Sequence, residues 1–166
     1  MAQPENDDPI MLASEDKIDF DSFLPIYFHL ISEALGQRFR TILKPYGVTV
    51  RRWRVLMVLM TSGPCNMTEL RNKSLIEQSA LSRVVDQMER DNLVVRRPKF
   101  EDNRIIEVFI TDQGRKSYFD LVPAARTYGE SSVKGMSTRE RQALLKSLRT
   151  VLKNLQPELY AEVGDA

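Results

Sequence analysis

The stretch Gln78-Ser79-Ala80-Leu81-Ser82-Arg83-Val84-Val85-Asp86-Gln87-Met88 sets Leu81, Val84, Val85 and Met88 at i, i+3, i+4 and i+7, the recurrence of a helix face turned to a core. At about 100° per residue, Ser79, Arg83, Asp86 and Arg90 come out on the opposite side, with Ser82 on its flank. Small hydroxyl donors and one arginine therefore occupy the first turns of an outward face. An α-helix in a DNA major groove needs that pattern: short side chains allow close approach to base edges, and an arginine reaches guanine O6 and N7.

A hairpin follows directly. Val94-Val95-Arg96-Arg97 and Ile105-Ile106-Glu107-Val108-Phe109-Ile110 are β-branched-rich runs joined by the charged connection Pro98-Lys99-Phe100-Glu101-Asp102-Asn103-Arg104. Asp102 and Arg104, two apart on an extended segment, project to one side, where the carboxylate can brace the guanidinium. A braced arginine at a wing tip suits a narrow minor groove, whose negative potential attracts it.

Outward from this centre, periodicity and capping signals predict four helices before the hairpin and two after it. Leu24, Phe28, Ile31, Leu35, Phe39 and Ile42 repeat at three or four residues in a long first helix that stops before Pro45-Tyr46-Gly47. Further apolar residues off that stripe, Phe23, Tyr27, Ala34 and Leu43, predict a face that meets another subunit. Thr49 caps a second helix with a core stripe of Trp53, Leu56, Met57 and Met60. Asn66-Met67-Thr68-Glu69 has the form of a capping box for a short third helix. The fourth spans 77–92, and Ser74 with Glu77 offers it an earlier start. Thr111-Asp112-Gln113 caps a fifth, which Pro123 is expected to kink. Ser137-Thr138-Arg139-Glu140 boxes a sixth, whose Leu145, Leu148, Leu152 and Leu155 have the spacing of a coiled-coil seam and need a partner helix. The expected fold is mostly α with a small β-hairpin wing: a winged helix-turn-helix DNA-binding domain plus a helical dimerisation domain.

Composition bounds the function classes. The 166 residues are 42% hydrophobic and 28% charged, the makeup of one globular domain, and no apolar run reaches the roughly 18 residues of a membrane span. No membrane partner and a cytoplasmic location are expected. Residues 1–21 carry seven carboxylates against Lys17 alone, a net −6, so the other 145 carry +7 and suit a polyanionic partner. Cys65, the single cysteine, excludes an internal disulfide and reads as an ordinary buried thiol. No catalytic Ser/His/Asp or Cys/His order, Gly-rich phosphate loop or His/Cys metal spacing stands out, so neither an enzyme nor a metal or cofactor is expected.

From Trp53 to Gly114 the chain resembles the MarR family of bacterial and archaeal transcriptional regulators. The resemblance is carried by Trp53-Arg54-Val55-Leu56, Thr68-Glu69-Leu70, Leu81-Ser82-Arg83-Val84-Val85-Asp86-Gln87-Met88-Glu89, Leu93-Val94, Arg96-Arg97-Pro98, Asp102-Asn103-Arg104, Ile110-Thr111 and Gly114, in that order. It implies an obligate homodimer whose first and last helices interlock and whose two winged lobes sit on successive major grooves of a pseudo-palindrome. It also implies release of DNA when a small, often aromatic or phenolic, molecule or an oxidant acts on the dimer; an aromatic or phenolic acid or its thioester is the expected effector. The expected organisation is a mobile acidic tail over 1–17, a helical dimerisation region over 18–47 and 112–166, and a winged helix-turn-helix over 48–111.

On this reading the chain is a ligand-responsive regulator, acting as a repressor, on double-stranded DNA. Gln78, Ser79, Ser82 and Arg83 contact bases or phosphates; Thr68, Arg97 and Lys99 hold phosphates; Arg104, supported by Asp102, enters the minor groove. Tyr27, His29, Arg51 and Trp53 lie on segments that the resemblance places around an effector pocket, the other reading of His29 being structural. Between Arg38 and Arg54 six Arg/Lys residues and no acid serve a flanking phosphate, an acidic effector or a solvated face. Glu77, at the start of the reading helix, either caps it or weakens binding by repulsion, and Asp86 raises the same question. Six acids against six bases over 77–104 mean that affinity there depends on placement. The competing class is a winged-helix module that binds protein through the hairpin or the first helix.

Overall fold

The computed structural model describes residues 23–157; the acidic tail expected over 1–17 lies outside them. The elements in order are α1 (Leu24–Leu43), a 3-10 turn (Lys44–Tyr46), α2 (Val50–Ser62), β1 (Cys65–Asn66), α3 (Met67–Ser74), α4 (Gln78–Arg90), β2 (Val94–Pro98), β3 (Ile106–Ile110), α5 (Asp112–Ser132) and α6 (Thr138–Leu155). The described residues fall into two compact units that divide between Leu35 and Gly36. In the first unit Phe23, Leu24, Tyr27, Leu30 and Ile31 are exposed.

The second unit holds two hydrophobic clusters. The larger joins Leu56 and Leu59 of α2, Leu70 of α3, Leu81, Val85 and Met88 of α4, and Val94 and Val108 of the sheet. The smaller joins Phe39, Leu43, Trp53 and Leu121, with Tyr118 and Tyr128 packed against it. Because α2 serves both, its buried surface is wider than a single stripe: Trp53, Val55, Leu56, Val58 and Leu59 are buried, whereas Met57, expected in the core, is exposed.

Local chemistry sets the boundaries. Gly47, at φ 66°, closes the 3-10 turn, and Thr49 caps α2 by accepting from the Arg52 N–H. Asn66 and Glu69 form the reciprocal box of α3, and Ser137 and Glu140 that of α6. Helix α4 begins at Gln78 with Glu77 as its N-cap. Leu75, between α3 and α4, takes the left-handed conformation at φ 54° that usually favours glycine. Pro123 lies within a helix that runs unbroken from Asp112 to Ser132, at the cost of one N–H donor to the preceding turn.

The sheet has three strands in the order β1-β3-β2, all antiparallel, with Val94 opposite Ile110 and Pro98 opposite Ile106. The third strand, two residues long, pairs Cys65 with Val108 and was not legible in the sequence. Cys65 is buried, donates to the Gly63 carbonyl at 3.4 Å, and its thiol is pushed above its ordinary pKa by burial. Helix α6 buries none of its side chains; Leu145 is 55% exposed.

Candidate nucleic-acid interface

The apolar stripe of α4 fixes which way its polar residues point. With Leu81, Val85 and Met88 buried, Gln78, Ser79, Arg83, Asp86 and Arg90 are exposed and Ser82 is half-buried. Thr68 is exposed at the start of α3, its N–H donating to Asn66 Oδ1 at 2.9 Å. On the hairpin, Arg97 is exposed with its guanidinium 6.0 Å from the centre of the Phe109 ring. Lys99 Nζ lies 3.8 Å from Glu101 and 3.9 Å from Glu107, too far to tie it down firmly.

Arg104 stands at the hairpin tip with its side chain 92% exposed. Its Nε donates to Asp102 Oδ1 at 3.0 Å and its Nη2 to Oδ2 at 3.1 Å, while its backbone N–H also donates to Oδ1. These bonds hold the Asp102 carboxyl below its ordinary pKa, the side-chain bond from Arg104 contributing most. The guanidinium is thus aimed before any partner arrives, which reduces the rotamer entropy lost on binding. Phe100, on the same connection, is fully exposed and has no role in the reading above.

Most acids of this region are already spoken for. Arg96 donates to Glu89 Oε2 at 2.7 Å and to Asp86 Oδ1 at 2.6 Å, and its backbone N–H donates to Glu89 Oε1. One side chain therefore fastens β2 to α4 and balances two carboxylates of that helix. Arg52 does the same for Asp91 at 2.6 Å, linking the start of α2 to the end of α4. Charge compensation was the signal sequence reasoning missed, because Arg96 and Asp86 are ten residues apart on different elements.

Arg96→Ala is expected to cost about 1 kcal/mol of stability, the partial exposure of all three groups limiting the loss. The backbone N–H of Arg96, which alanine keeps, and its side chain both lower the Glu89 pKa, so the side-chain share of this stabilisation exists above the ordinary carboxylate range and disappears as pH falls through the lowered value. Urea melts should then show the deficit of Arg96→Ala at neutral pH shrinking below about pH 4.

Glu77 caps α4. Its Oε2 accepts from the Ser79 N–H at 2.9 Å, the Ala80 N–H at 3.2 Å and the Ser79 hydroxyl, and the Ser79 bonds hold the carboxyl below its ordinary pKa. Ser82 Oγ donates to the Gln78 carbonyl at 3.2 Å. A serine has one proton to give. Both hydroxyls, expected from the sequence to contact DNA, donate within the first turn of α4, which leaves their oxygen lone pairs as acceptors.

The four effector candidates lie on two helices, Tyr27 and His29 on α1 and Arg51 and Trp53 on α2. Arg51 and Trp53 are two apart on α2 and point to different sides, as do Tyr27 and His29 on α1. Arg51, Tyr27 and His29 are exposed; Trp53 is buried, stacked on Tyr118 at 5.2 Å with 6° between the rings and edge-on to Phe39 at 6.1 Å. Phe39 in turn stacks on Tyr128 at 4.6 Å, and burial raises the Tyr128 pKa. That aromatic ladder joins α1, α2 and α5, and of its members only Trp53 is among the effector candidates. Among the described residues no group of acids, histidines and cysteines is placed to hold a metal, and no helix is long and apolar enough to cross a membrane.

A sequence profile of the MarR family matches residues 48–106. The chain is 30% identical over 120 residues to the HTH-type transcriptional repressor IacR of Pseudomonas putida, covering 72% of each protein. Its fold is similar to that of Bordetella bronchiseptica BpsR, a structure concerned with regulation of DNA binding by 6-hydroxynicotinic acid (TM-score 0.74, 21% identity, 81% of this chain and 96% of the other). It is likewise similar to a mutant of MarR from E. coli complexed with operator DNA (TM-score 0.71, 21% identity, 78% of this chain and 93% of the other).

Proposed function

The chain belongs to the MarR family of transcriptional regulators, and from that premise we propose how it reads DNA and what relieves it. It acts as a repressor in the cytoplasm, binding a pseudo-palindromic operator as a homodimer, with the half-sites about one helical turn apart. The observation that carries the reading is the outward face of α4 beside a hairpin whose arginine is held by Asp102. Helix α4 enters the major groove with Gln78, Ser79, Ser82 and Arg83; Arg104 enters the flanking minor groove; Thr68, Arg97 and Lys99 hold phosphates and fix the register.

The region 48–111 is the reading lobe, and 18–47 with 112–166 the dimerisation region. Two apolar faces left open in a single chain support a second copy: Leu24, Leu30 and Ile31 in the first unit, and Leu144, Leu145, Leu148 and Leu155 on α6.

Salt dependence tests the DNA reading against a protein-binding module. Log K for duplex DNA should fall by about 0.9 per neutralised phosphate as log[salt] rises, whereas an apolar protein interface would give little slope. Lys99→Ala is expected to weaken all duplexes alike and to lower that slope by about 1 per lobe. A loss confined to some sequences would remove Lys99 from the phosphate contacts.

The effector is a small aromatic or phenolic acid or its thioester. BpsR, regulated by 6-hydroxynicotinic acid, supports that chemistry, as does the aromatic ladder around Trp53. Tyr27, His29, Arg51 and Trp53 are the proposed contacts, each considered by itself. Trp53 is the only tryptophan, so its fluorescence reports the titration of such acids directly. An acid that releases DNA without changing that fluorescence would place the effector elsewhere.

A further inference from the structure

We propose that Glu77, together with Ser79, is a specificity-determining acceptor pair that selects a base presenting its amino group in the major groove, cytosine or adenine, at the start of α4. The inference rests on the reading above, in which α4 lies in the major groove. Its basis is the division of labour between the two oxygens of one carboxylate. Every hydrogen bond that caps α4 lands on Glu77 Oε2, from the Ser79 N–H, the Ala80 N–H and the Ser79 hydroxyl. Oε1 takes none of them, and the side chain is exposed.

The cap bonds fix the carboxylate against the helix, so Oε1 is a positioned acceptor rather than a swinging charge. Ser79 Oγ, its proton given to Oε2, adds acceptor lone pairs beside it, and Ser82, its proton given to the Gln78 carbonyl, extends the same polarity one turn on. In the major groove such acceptors match the N4 amino group of cytosine or the N6 amino group of adenine. They oppose the acceptor atoms O6 and N7 of guanine and O4 of thymine, and they oppose phosphates. Arg83, four residues beyond Ser79, carries the opposite polarity and matches guanine. The first turns of α4 thus ask for a base with an amino group in the major groove and then for guanine.

The alternative is that Glu77 only caps the helix and repels DNA indiscriminately. Selection of duplexes from a randomised pool by the full-length protein separates the two, repeated with Arg83→Ala, Glu77→Ser and Ser79→Ala. Serine at an N-cap retains a capping oxygen but removes the second one, and Glu77→Gln, whose carbonyl can still cap, provides a second variant should the first not fold. For the wild type, one position in each half-site should favour cytosine or adenine by about tenfold over guanine or thymine. That preference should fall to about twofold or less in Glu77→Ser and Glu77→Gln and narrow in Ser79→Ala, with the Arg83-dependent guanine preserved. Glu77 variants that raise affinity for every duplex equally, in a protein whose guanine preference still depends on Arg83, would overturn the inference alone. Failure to enrich any duplex, or preferences unchanged in Arg83→Ala, would overturn the major-groove reading and this inference with it.

Discussion

Gly114→Ala is expected to destabilise the protein by about 3 kcal/mol or more, the largest single-residue effect we foresee for the fold. A Cβ at this position would stand 2.1 Å from the Leu93 carbonyl oxygen and 2.8 Å from Ile110 Cγ1. Neither neighbour can move aside cheaply. The Leu93 carbonyl accepts from the Thr111 N–H, and Thr111 caps α5 through the Gly114 N–H while its hydroxyl donates to the Asn92 carbonyl. The turn after α4, the end of β3 and the start of α5 therefore meet backbone to backbone, and one methyl would pry the wing away from the helix that follows it. Gly129→Ala is the control, since the added Cβ there meets nothing within 4 Å in the same helix. It should gain about 0.5–1 kcal/mol from helix propensity. Denaturant melts of the two variants should move in opposite directions; a mild Gly114→Ala phenotype would mean that this junction is looser than its geometry states.

What the sequence revealed of the fold follows from how local each cause is. Caps at Thr49, Asn66, Thr111 and Ser137 act within three residues, and each of these helices starts where its cap implies. The stripe of α4 was legible because one core receives it, whereas α2 misled, since burial against two clusters erases a single periodicity. The strand Cys65–Asn66 was invisible: two residues carry no period, and their pairing with β3 spans some forty positions. The same distance rule governs the site. Asp102 and Arg104, two apart, were readable as a pair, but Arg96 with Asp86, and Arg52 with Asp91, join elements that only folding brings together. Hydrogen-bond polarity is subtler still. A serine in a sequence is donor and acceptor alike, and only the position of the Glu77 carboxylate and the Gln78 carbonyl shows which role is spent.

Arg83→Ala should produce the largest loss of DNA binding among the proposed contacts. Removing a bidentate arginine–guanine contact costs about 1–3 kcal/mol in each lobe, and a homodimer carries the change twice, so binding to the operator should fall by about 2–6 kcal/mol. Nothing in the fold should suffer, because Arg83 is exposed and no hydrogen bond or ion pair from its side chain holds another element in place among the described residues. The same substitution should leave non-specific binding to unrelated duplex nearly intact, since that affinity resides in phosphate contacts, and the salt slope should change little. Arg104→Ala provides the contrast. Its partner Asp102 would be left as an uncompensated carboxylate at the wing tip, so that variant should lose affinity through repulsion as well as through the missing contact, and most on duplexes with a narrow minor groove beside each half-site. Replacing Asp102 at the same time should recover part of the second loss but none of the first. Titration of the wild type and the three variants against the selected operator and an unrelated duplex, at two salt concentrations, reads these terms separately. Equal losses on both duplexes for Arg83→Ala would move that residue from the bases to the phosphate backbone.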